Sequence, residues 1–387
     1  MKSDPLLPLG SFFAVLYLVY FTNETIFKDA QLALIFWSIA LPVGFVVVPN
    51  RAVFLSLFVS VTLTLTYFLG FAVNASEHVS LEYFPQILTT LACSTWVTGI
   101  LMGGSRWSPP EAFHRWFHRI FALGAVGWTF YSIQTIAQLR IADARDVTGF
   151  SYLTTSDLIT VFGLTSLSRS KIGGLEFLII FTCCLITVTF LGSRSAMVLF
   201  SALSIVIFFK SFNILTKVGV VVVATPLIVW WAGTFVDFNS PAFQRLASLF
   251  TLGEDNSLQD RLYFFSVFFE KLYSYPACIV VPCHAPSGEY VHSFLSIFEY
   301  FGLVGALVIF VLVIHAVLNI KLVWRSNIFG IFLFSAISMI ATRAWVSPVF
   351  AILVGILLAM VAPKIRLWKR ADANLGVKAA HTLRREI

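Results

Sequence analysis

Apolar residues occur along this chain in long, nearly uncharged runs that are separated by short polar stretches. A helix needs about 20 apolar residues to cross the hydrocarbon core of a bilayer. Twelve runs reach or approach that length, at residues 6–22, 31–48, 52–74, 83–103, 120–138, 153–168, 174–192, 195–212, 216–235, 294–317, 328–343 and 347–363. The pattern predicts an all-α, polytopic integral membrane protein of about twelve transmembrane helices, with residues 1–387 forming a single membrane domain.

Two polar segments stand apart from the short connections. Residues 236–293 keep several aromatic side chains, so we expect a large periplasmic loop that packs as short helices on the outer face. Residues 364–387 are polar and basic, which predicts a cytoplasmic tail. The first apolar run is followed by Asn23-Glu24-Thr25 rather than by small residues, so it is expected to be a retained span and not a cleaved signal peptide.

Composition agrees with a membrane protein and favours one orientation. The chain is 58% hydrophobic and 12% charged, against about a quarter charged for soluble domains. Placing both termini in the cytoplasm puts most of the 26 Lys and Arg residues on the inner side and most acidic residues outside. The net charge of +7 is then explained by topology and lipid head groups. No basic run is interleaved with aromatic residues in a polar segment, so no nucleic-acid partner is expected.

The five cysteines fall into two groups. Three lie inside apolar runs and are expected to be packing residues: Cys93, Cys183 and Cys184. Cys278 and Cys283 lie five residues apart in the large loop, where an oxidising compartment would allow them to pair. Only His284 is close to them, so neither a metal site nor any other cofactor is expected.

Four residues near the predicted outer face carry charge or proton chemistry. Arg194 lies in the tight turn between the seventh and eighth spans, and Arg261 follows Asp260 in the large loop. His292 lies where that loop re-enters the membrane, and Arg343 lies near the outer end of the eleventh span. Each has a plain structural alternative: a boundary arginine reaching head groups, a local ion pair with Asp260, or a histidine held at the interface.

Together these residue types suggest a specific reaction. Arginine forks grip phosphate through two hydrogen bonds and keep their charge at all accessible pH values. A histidine with a pKa near neutrality can accept the proton of an incoming hydroxyl. Glycosyl transfer from a lipid-linked diphosphate needs both functions, because the diphosphate leaves as an anion that the arginines can neutralise.

Three motifs, in this order, resemble the O-antigen ligase and polymerase superfamily. They are Gly-Ser-Arg-Ser-Ala at 192–196, Asp-Arg-Leu-Tyr-Phe-Phe at 260–265 with Tyr-Pro at 275–276, and His-Ser at 292–293 with Gly-Leu-Val-Gly at 302–305. The resemblance covers mainly residues 149–318.

The resemblance implies a bacterial inner-membrane, multi-pass glycosyltransferase. Arg194 and Arg261 would bind the diphosphate of an undecaprenyl-linked glycan, and His292 would orient or deprotonate the acceptor hydroxyl. The reaction would be metal-independent and inverting. The acceptor would be another glycan or lipid A core, and a separate chain-length regulator is a candidate partner. Further candidate substrate contacts are Arg343, Asp260 and Arg245.

Several alternatives stay open on the sequence. We favour a polymerase of O-antigen, capsule or exopolysaccharide repeat units over an O-antigen ligase, although both share the donor chemistry. A lipid-phosphate-sugar glycosyltransferase would use a carboxylate in the first outside loop, where Glu24 and Asp29 are present. A lipid-oligosaccharide flippase would carry polar residues along a path through its spans. The mid-span candidates for such a path are Asp157, Glu176, Glu299 and His315.

Overall fold

The computed structural model of the protein describes most of the apolar part of the chain. The described residues are 4–22, 31–74, 84–102, 109–138, 152–170, 172–191, 193–219, 222, 256–276, 280, 294–341, 343 and 347–361. Within them every long regular element is an α-helix, and this part of the chain contains no β-strand. The all-α class predicted from the hydrophobic pattern is therefore confirmed.

The described helices follow one another in chain order. They are α1 (Leu6–Thr22), α2 (Gln31–Val47), α3 (Asn50–Asn74), α4 (Phe84–Leu101), α5 (Glu111–Gln138), α6 (Tyr152–Leu167), α7 (Gly174–Leu191), α8 (Arg194–Ser211), α9 (Asn256–Ser274), α10 (Ser296–Leu318), α11 (Ile320–Arg325), α12 (Phe329–Ala341) and α13 (Pro348–Val361). Eleven of the twelve predicted spans coincide with one of these helices to within a few residues at most ends. The ninth, 216–235, lies largely outside the described residues.

Two helices extend the predicted pattern. Helix α5 starts nine residues before the apolar run that predicted it, directly after Pro109-Pro110. Proline is tolerated at a helix start because its missing N–H has no partner there, and Glu111 in the first turn suits the helix dipole. Helix α9 occupies part of the predicted large loop as a 19-residue helix, and most of the rest of that loop lies outside the described residues.

Apolar helices dominate the fold. Among the described residues, three helical stretches are long and apolar enough to cross a membrane: Asn50–Leu69 within α3, α7 and α10. Seven further apolar helical stretches there are shorter, with 10–17 residues. These helices indicate membrane association for the described part of the chain. The number of spans and the sides on which the termini lie stay predictions.

Helix α6 lies at the centre of the bundle. It packs against α1, α7, α8, α12 and α13, and each residue from 155 to 169 is buried. Enclosure by five helices explains how a helix so rich in Ser and Thr is accommodated: protein, not lipid, surrounds its hydroxyl groups. One of them, Thr165, donates to the carbonyl oxygen of Val161 at 2.6 Å, which satisfies it within the helix.

Close helix packing depends on small residues at particular contacts. Helix α13 packs extensively against α4, where a Cβ added at Gly355 would lie 2.7 Å from Cβ of Val97. The Thr98 hydroxyl donates to the carbonyl oxygen of Gly355 at 3.0 Å across the same contact. Small residues that let two backbones approach are a common way to join helices in membranes. Three cysteines lie within these helices and are unpaired: Cys93 and Cys184 are buried, as the apolar pattern predicted, and Cys183 is half-buried.

Candidate functional site

A buried ion pair joins the central helix to the far end of the chain. Arg343 donates through Nη2 to Oδ1 of Asp157 at 2.8 Å and through Nε to Oδ2 of the same carboxylate. The two side chains are only 5% and 1% exposed. A two-point arginine–carboxylate pair of this kind fixes direction as well as distance. Removing one partner of a buried pair typically costs about 3–5 kcal/mol, because the other charge is left unpaired.

The same arginine reaches a third element. Nη2 of Arg343 lies 3.5 Å from Oγ of Ser193, a long contact with the turn between α7 and α8. Ser193 is 2% exposed. We call this meeting of Asp157, Ser193 and Arg343 the junction. It connects α6, the α7–α8 turn and the segment that follows α12, so three separate parts of the chain share one fixed point.

Local backbone structure places each member of the junction. The Arg343 N–H donates to the carbonyl oxygen of Ser338 at 2.8 Å, which closes the end of α12. Ser193 is the N-cap residue of α8, with extended backbone angles, and its carbonyl oxygen accepts the N–H of Met197 at 3.0 Å. Asp157 lies one turn and a half into α6, on a helix enclosed by protein.

The cap of α8 is unusual in its side chain. A serine at the N-cap normally accepts a hydrogen bond from an N–H of the first turn, but Ser193 makes no such bond. Its hydroxyl is near Arg343 instead. The first-turn N–H groups of a helix have no partner within the helix, and they favour anions. The first residue of this helix is Arg194, so a fixed positive charge in the sequence coincides with the positive end of α8.

The glycine motif at 302–305 divides helix α10. Gly302 has φ 58° and ψ −164°, a conformation that other residues rarely adopt, and it interrupts the helix after residue 301. Next to this break Phe301 lies close to Gly305, and a Cβ added at Gly305 would lie only 2.3 Å from Cβ of Phe301. The two glycines therefore have separate physical roles: Gly302 allows the break, and Gly305 leaves room for the aromatic ring before it. Phe301 itself is 1% exposed.

Helix α9 has one buried and one exposed face. Phe268 is 4% exposed, whereas Tyr263 and Tyr273 are 63% and 90% exposed. The predicted diphosphate ligand Arg261 belongs to this helix, and its contact with a substrate stays a prediction.

A second group of charges lies at the opposite end of α6. Arg169 donates to Oε1 of Glu176 at 2.9 Å and to the carbonyl oxygen of Ser166 at 2.7 Å. Arg119 also donates to Oε1 of Glu176, at 3.1 Å. Burial lowers the pKa of the Arg169 guanidinium, and the neighbouring Glu176 opposes that shift. Twelve positions separate Asp157 from Arg169, about 18 Å along a helix axis.

The N-terminal residues attach to this second group. The Asp4 carboxylate accepts the N–H and the hydroxyl of Ser170 at 3.0 and 2.8 Å. The His118 ring lies 3.0 Å from the carbonyl oxygen of Leu7 and 3.1 Å from the Ser166 hydroxyl. These bonds hold the start of α1 against α5 and α6. Two of the four mid-span polar candidates, Asp157 and Glu176, thus belong to separate ion pairs at opposite ends of α6 rather than to one path.

The structure describes only part of the predicted site. Arg343 is buried in the junction, and its predicted direct contact with substrate stays a prediction. The backbone positions of Arg194, Asp260 and Arg261 are described as helical. His292, Arg245, Cys278, Cys283 and the tail 364–387 lie outside the described residues. The structure brings Arg343 to Ser193, the neighbour of Arg194, although the two residues are far apart in sequence. The position of His292 relative to them stays a prediction.

Sequence reasoning missed the junction as a unit. In the sequence Asp157 is a mid-span candidate for a transport path, and Ser193 is part of the first of the three motifs. A carboxylate inside an apolar run requires a partner, so the position of Asp157 in such a run indicates that a cation pairs with it. Its partner stands 186 residues later, and no local pattern identifies it.

Comparison with known proteins adds no relative. No protein-family profile matches this chain, and no curated protein matches it significantly. Within the described residues, no group of three or more His, Cys, Asp or Glu side chains is arranged to hold a metal ion.

Proposed function

We propose that the protein is a multi-pass membrane glycosyltransferase that uses an undecaprenyl-diphosphate-linked oligosaccharide as donor. In this proposal it acts on the periplasmic face of the bacterial inner membrane. It polymerises the repeat units of O-antigen, capsule or exopolysaccharide, without a metal ion and with inversion at the anomeric carbon.

The observation that carries the proposal is the junction of Asp157, Ser193 and Arg343. A buried ion pair in an apolar bundle carries a large desolvation penalty, because two charges are removed from water. Here the pair also contacts the turn that precedes Arg194. Arg194 is the first residue of α8, where the helix dipole already favours an anion. A turn in contact with a buried ion pair, a permanent cation and a helix N-terminus at one point fit a diphosphate better than they fit an arginine that merely reaches head groups.

The second support is the broken helix α10. The segment from His292 to the break at Gly302 is short, and residues 299–302 are buried. In this proposal the break fixes the start of α10, which would give His292 the defined position that a proton acceptor requires. In membranes, irregular backbone is tolerated where protein or a polar cavity surrounds it. We therefore assign His292 to the acceptor side of the reaction and the two arginines to the donor side.

The reaction follows from these assignments. The acceptor hydroxyl oxygen bonds to the anomeric carbon of the donor, and the bond from that carbon to the diphosphate oxygen breaks. The hydroxyl proton passes to His292. The diphosphate leaves with its undecaprenyl chain, and Arg194 and Arg261 neutralise the charge that develops on it. No step needs a metal ion, since arginine supplies the positive charge.

The orientation is also part of the proposal. The opposite end of α6 carries Arg169, Glu176 and Arg119, and Asp4 joins it. We assign that end to the cytoplasm, because basic residues favour the inner side. The junction then belongs to the outer face, and both termini, in a chain of about twelve spans, lie inside.

The direct test is synthesis by the purified protein. Undecaprenyl-diphosphate oligosaccharide is supplied as donor and acceptor, with EDTA present, and products are separated by size. Wild type is expected to give a ladder of longer lipid-linked glycans. Arg194→Ala, Arg261→Ala and His292→Ala are each expected to lower the rate about a hundredfold or more, since each removes a group that acts in the transition state.

The matched control is Arg51→Ala, which removes an exposed arginine from the start of α3 and is expected to leave the rate unchanged. Transfer to lipid A core without a ladder would replace the polymerase with an O-antigen ligase. Movement of the intact donor across proteoliposomes, with no glycosidic product from any lipid-linked donor, would refute transfer and favour a flippase.

A further inference from the structure

We propose that Asp157 and Arg343 are positioning residues, whose ion pair holds the α7–α8 turn so that Arg194 meets the diphosphate in the productive geometry. This inference rests on the proposed function. It gives Asp157 a role and replaces the predicted substrate contact of Arg343 with an action through its neighbour. Both are almost fully buried, so their effect on the reaction must pass through the protein.

The route of that effect is short. Arg343 holds Asp157 through two hydrogen bonds, and Nη2, which makes one of them, also lies 3.5 Å from Oγ of Ser193. Ser193 is bonded through the backbone to Arg194, so one covalent link separates the anchored residue from the proposed diphosphate ligand. The pair therefore determines where the first turn of α8 begins relative to the central helix α6.

The contact also changes the end of α8. Because the Ser193 hydroxyl makes no capping bond, the N–H groups at the start of the helix are not used by it. A helix that needed only stability would gain from that capping bond. Turning the hydroxyl toward Arg343 instead favours a helix end that accepts an external anion.

A structural role and a positioning role make different predictions. A buried ion pair can often be replaced by apolar residues of similar volume without loss of stability, whereas removing one partner is strongly destabilising. The double variant Asp157→Leu/Arg343→Met should therefore recover the thermal stability that either single variant loses. If the pair only stabilises the fold, the double variant also recovers activity. If the pair positions Arg194, turnover stays low.

The chain offers a matched control pair. Arg169 and Glu176 form a second buried contact at the opposite end of α6, with side chains 3% and 14% exposed. Arg169→Met/Glu176→Leu makes the same chemical change far from the junction. It is expected to leave kcat within about twofold of wild type, after correction for the folded fraction measured by size-exclusion chromatography.

The experiment measures kcat, KM and thermal unfolding for wild type, both double variants, Arg343→Lys and Ser193→Ala. We expect kcat of Asp157→Leu/Arg343→Met to fall by about tenfold to a hundredfold with a smaller change in KM, because a misplacement of about 1 Å can cost that much. Arg343→Lys keeps the charge but not the planar fork, so it should retain partial activity. Ser193→Ala should lower kcat without lowering the unfolding temperature.

The possible failures are distinguishable. Full turnover by a stable Asp157→Leu/Arg343→Met protein, or equal loss of kcat in the control pair, overturns the positioning role while leaving the transferase intact. If the double variant does not fold, unchanged kcat in both Ser193→Ala and Arg343→Lys overturns it equally. Absence of product from wild type refutes the proposed function, and the positioning role with it.

Discussion

Replacing Gly302 with alanine tests whether the break in α10 is required. Gly302 has φ 58° and ψ −164°, and this region is open to glycine and almost closed to residues with a Cβ. An alanine there must either keep the strained conformation or return to the helical one. The second choice would straighten α10 and move the chain that precedes residue 302, including the segment that carries His292.

The expected loss of stability follows from the backbone angles. Holding a residue other than glycine in such a region costs about 1–3 kcal/mol. Unfolding entropy is about 2.1 cal/mol/K per residue, so for 387 residues the shift is about 1–4 °C in unfolding temperature. The expected loss of activity is larger, up to about a hundredfold, because displacing the His292 segment by about 1 Å misaligns the proposed base.

Thermal unfolding of the detergent-purified protein and the ladder assay measure the two effects separately. Gly124→Ala is the matched control, since it is an exposed helical glycine in α5 with open space around it. There alanine should stabilise by about 1 kcal/mol through helix propensity. The reasoning is refuted if Gly302→Ala matches wild type in both assays while Gly124→Ala shows its expected small rise.

Two further predictions concern the bundle. Gly355→Val should destabilise the protein by about 1–3 kcal/mol through overpacking, because even a Cβ there lies 2.7 Å from Val97. Thermal unfolding measures this loss. The control Gly127→Val, at a position that faces open space, should cost less stability. Thr160→Val should raise stability by about 1 kcal/mol, since the buried Thr160 hydroxyl has no hydrogen-bond partner among the described residues. Thr165→Val removes a hydrogen bond within α6 and should not raise stability. An equal gain in stability for both threonine variants would contradict this explanation.

Element positions were largely predictable because polar residues end most apolar runs. The extension of α5 to Glu111 was not, since the segment through Arg119 mixes charged and aromatic residues and lacks the apolar continuity of a span. Helix α6 was predicted despite Asp157, and the structure gives the reason it tolerates the carboxylate: Arg343 pairs with it. Helix α11 was missed because six residues are too few for a periodic pattern.

The candidate site was predictable in its residue types but not in its contacts. Arg194 and Arg343 were placed near one face by counting spans, and the structure brings Arg343 to Ser193, the neighbour of Arg194. The pairing with Asp157 depends on how α6 and α12 pack, which no single segment encodes. The Gly302 break was likewise visible only as a glycine motif, since backbone angles depend on the packing of Phe301 and Gly305.

The release of lipid diphosphate tests the central claim most directly. Purified wild-type protein is incubated with undecaprenyl-diphosphate oligosaccharide and EDTA, and both the lipid released and the glycosidic bonds formed are counted. Transfer from the diphosphate predicts one molecule of undecaprenyl diphosphate for each new bond, with neither formed by His292→Ala. Release of undecaprenyl monophosphate with each bond, or transport of donor with no release at all, would contradict it.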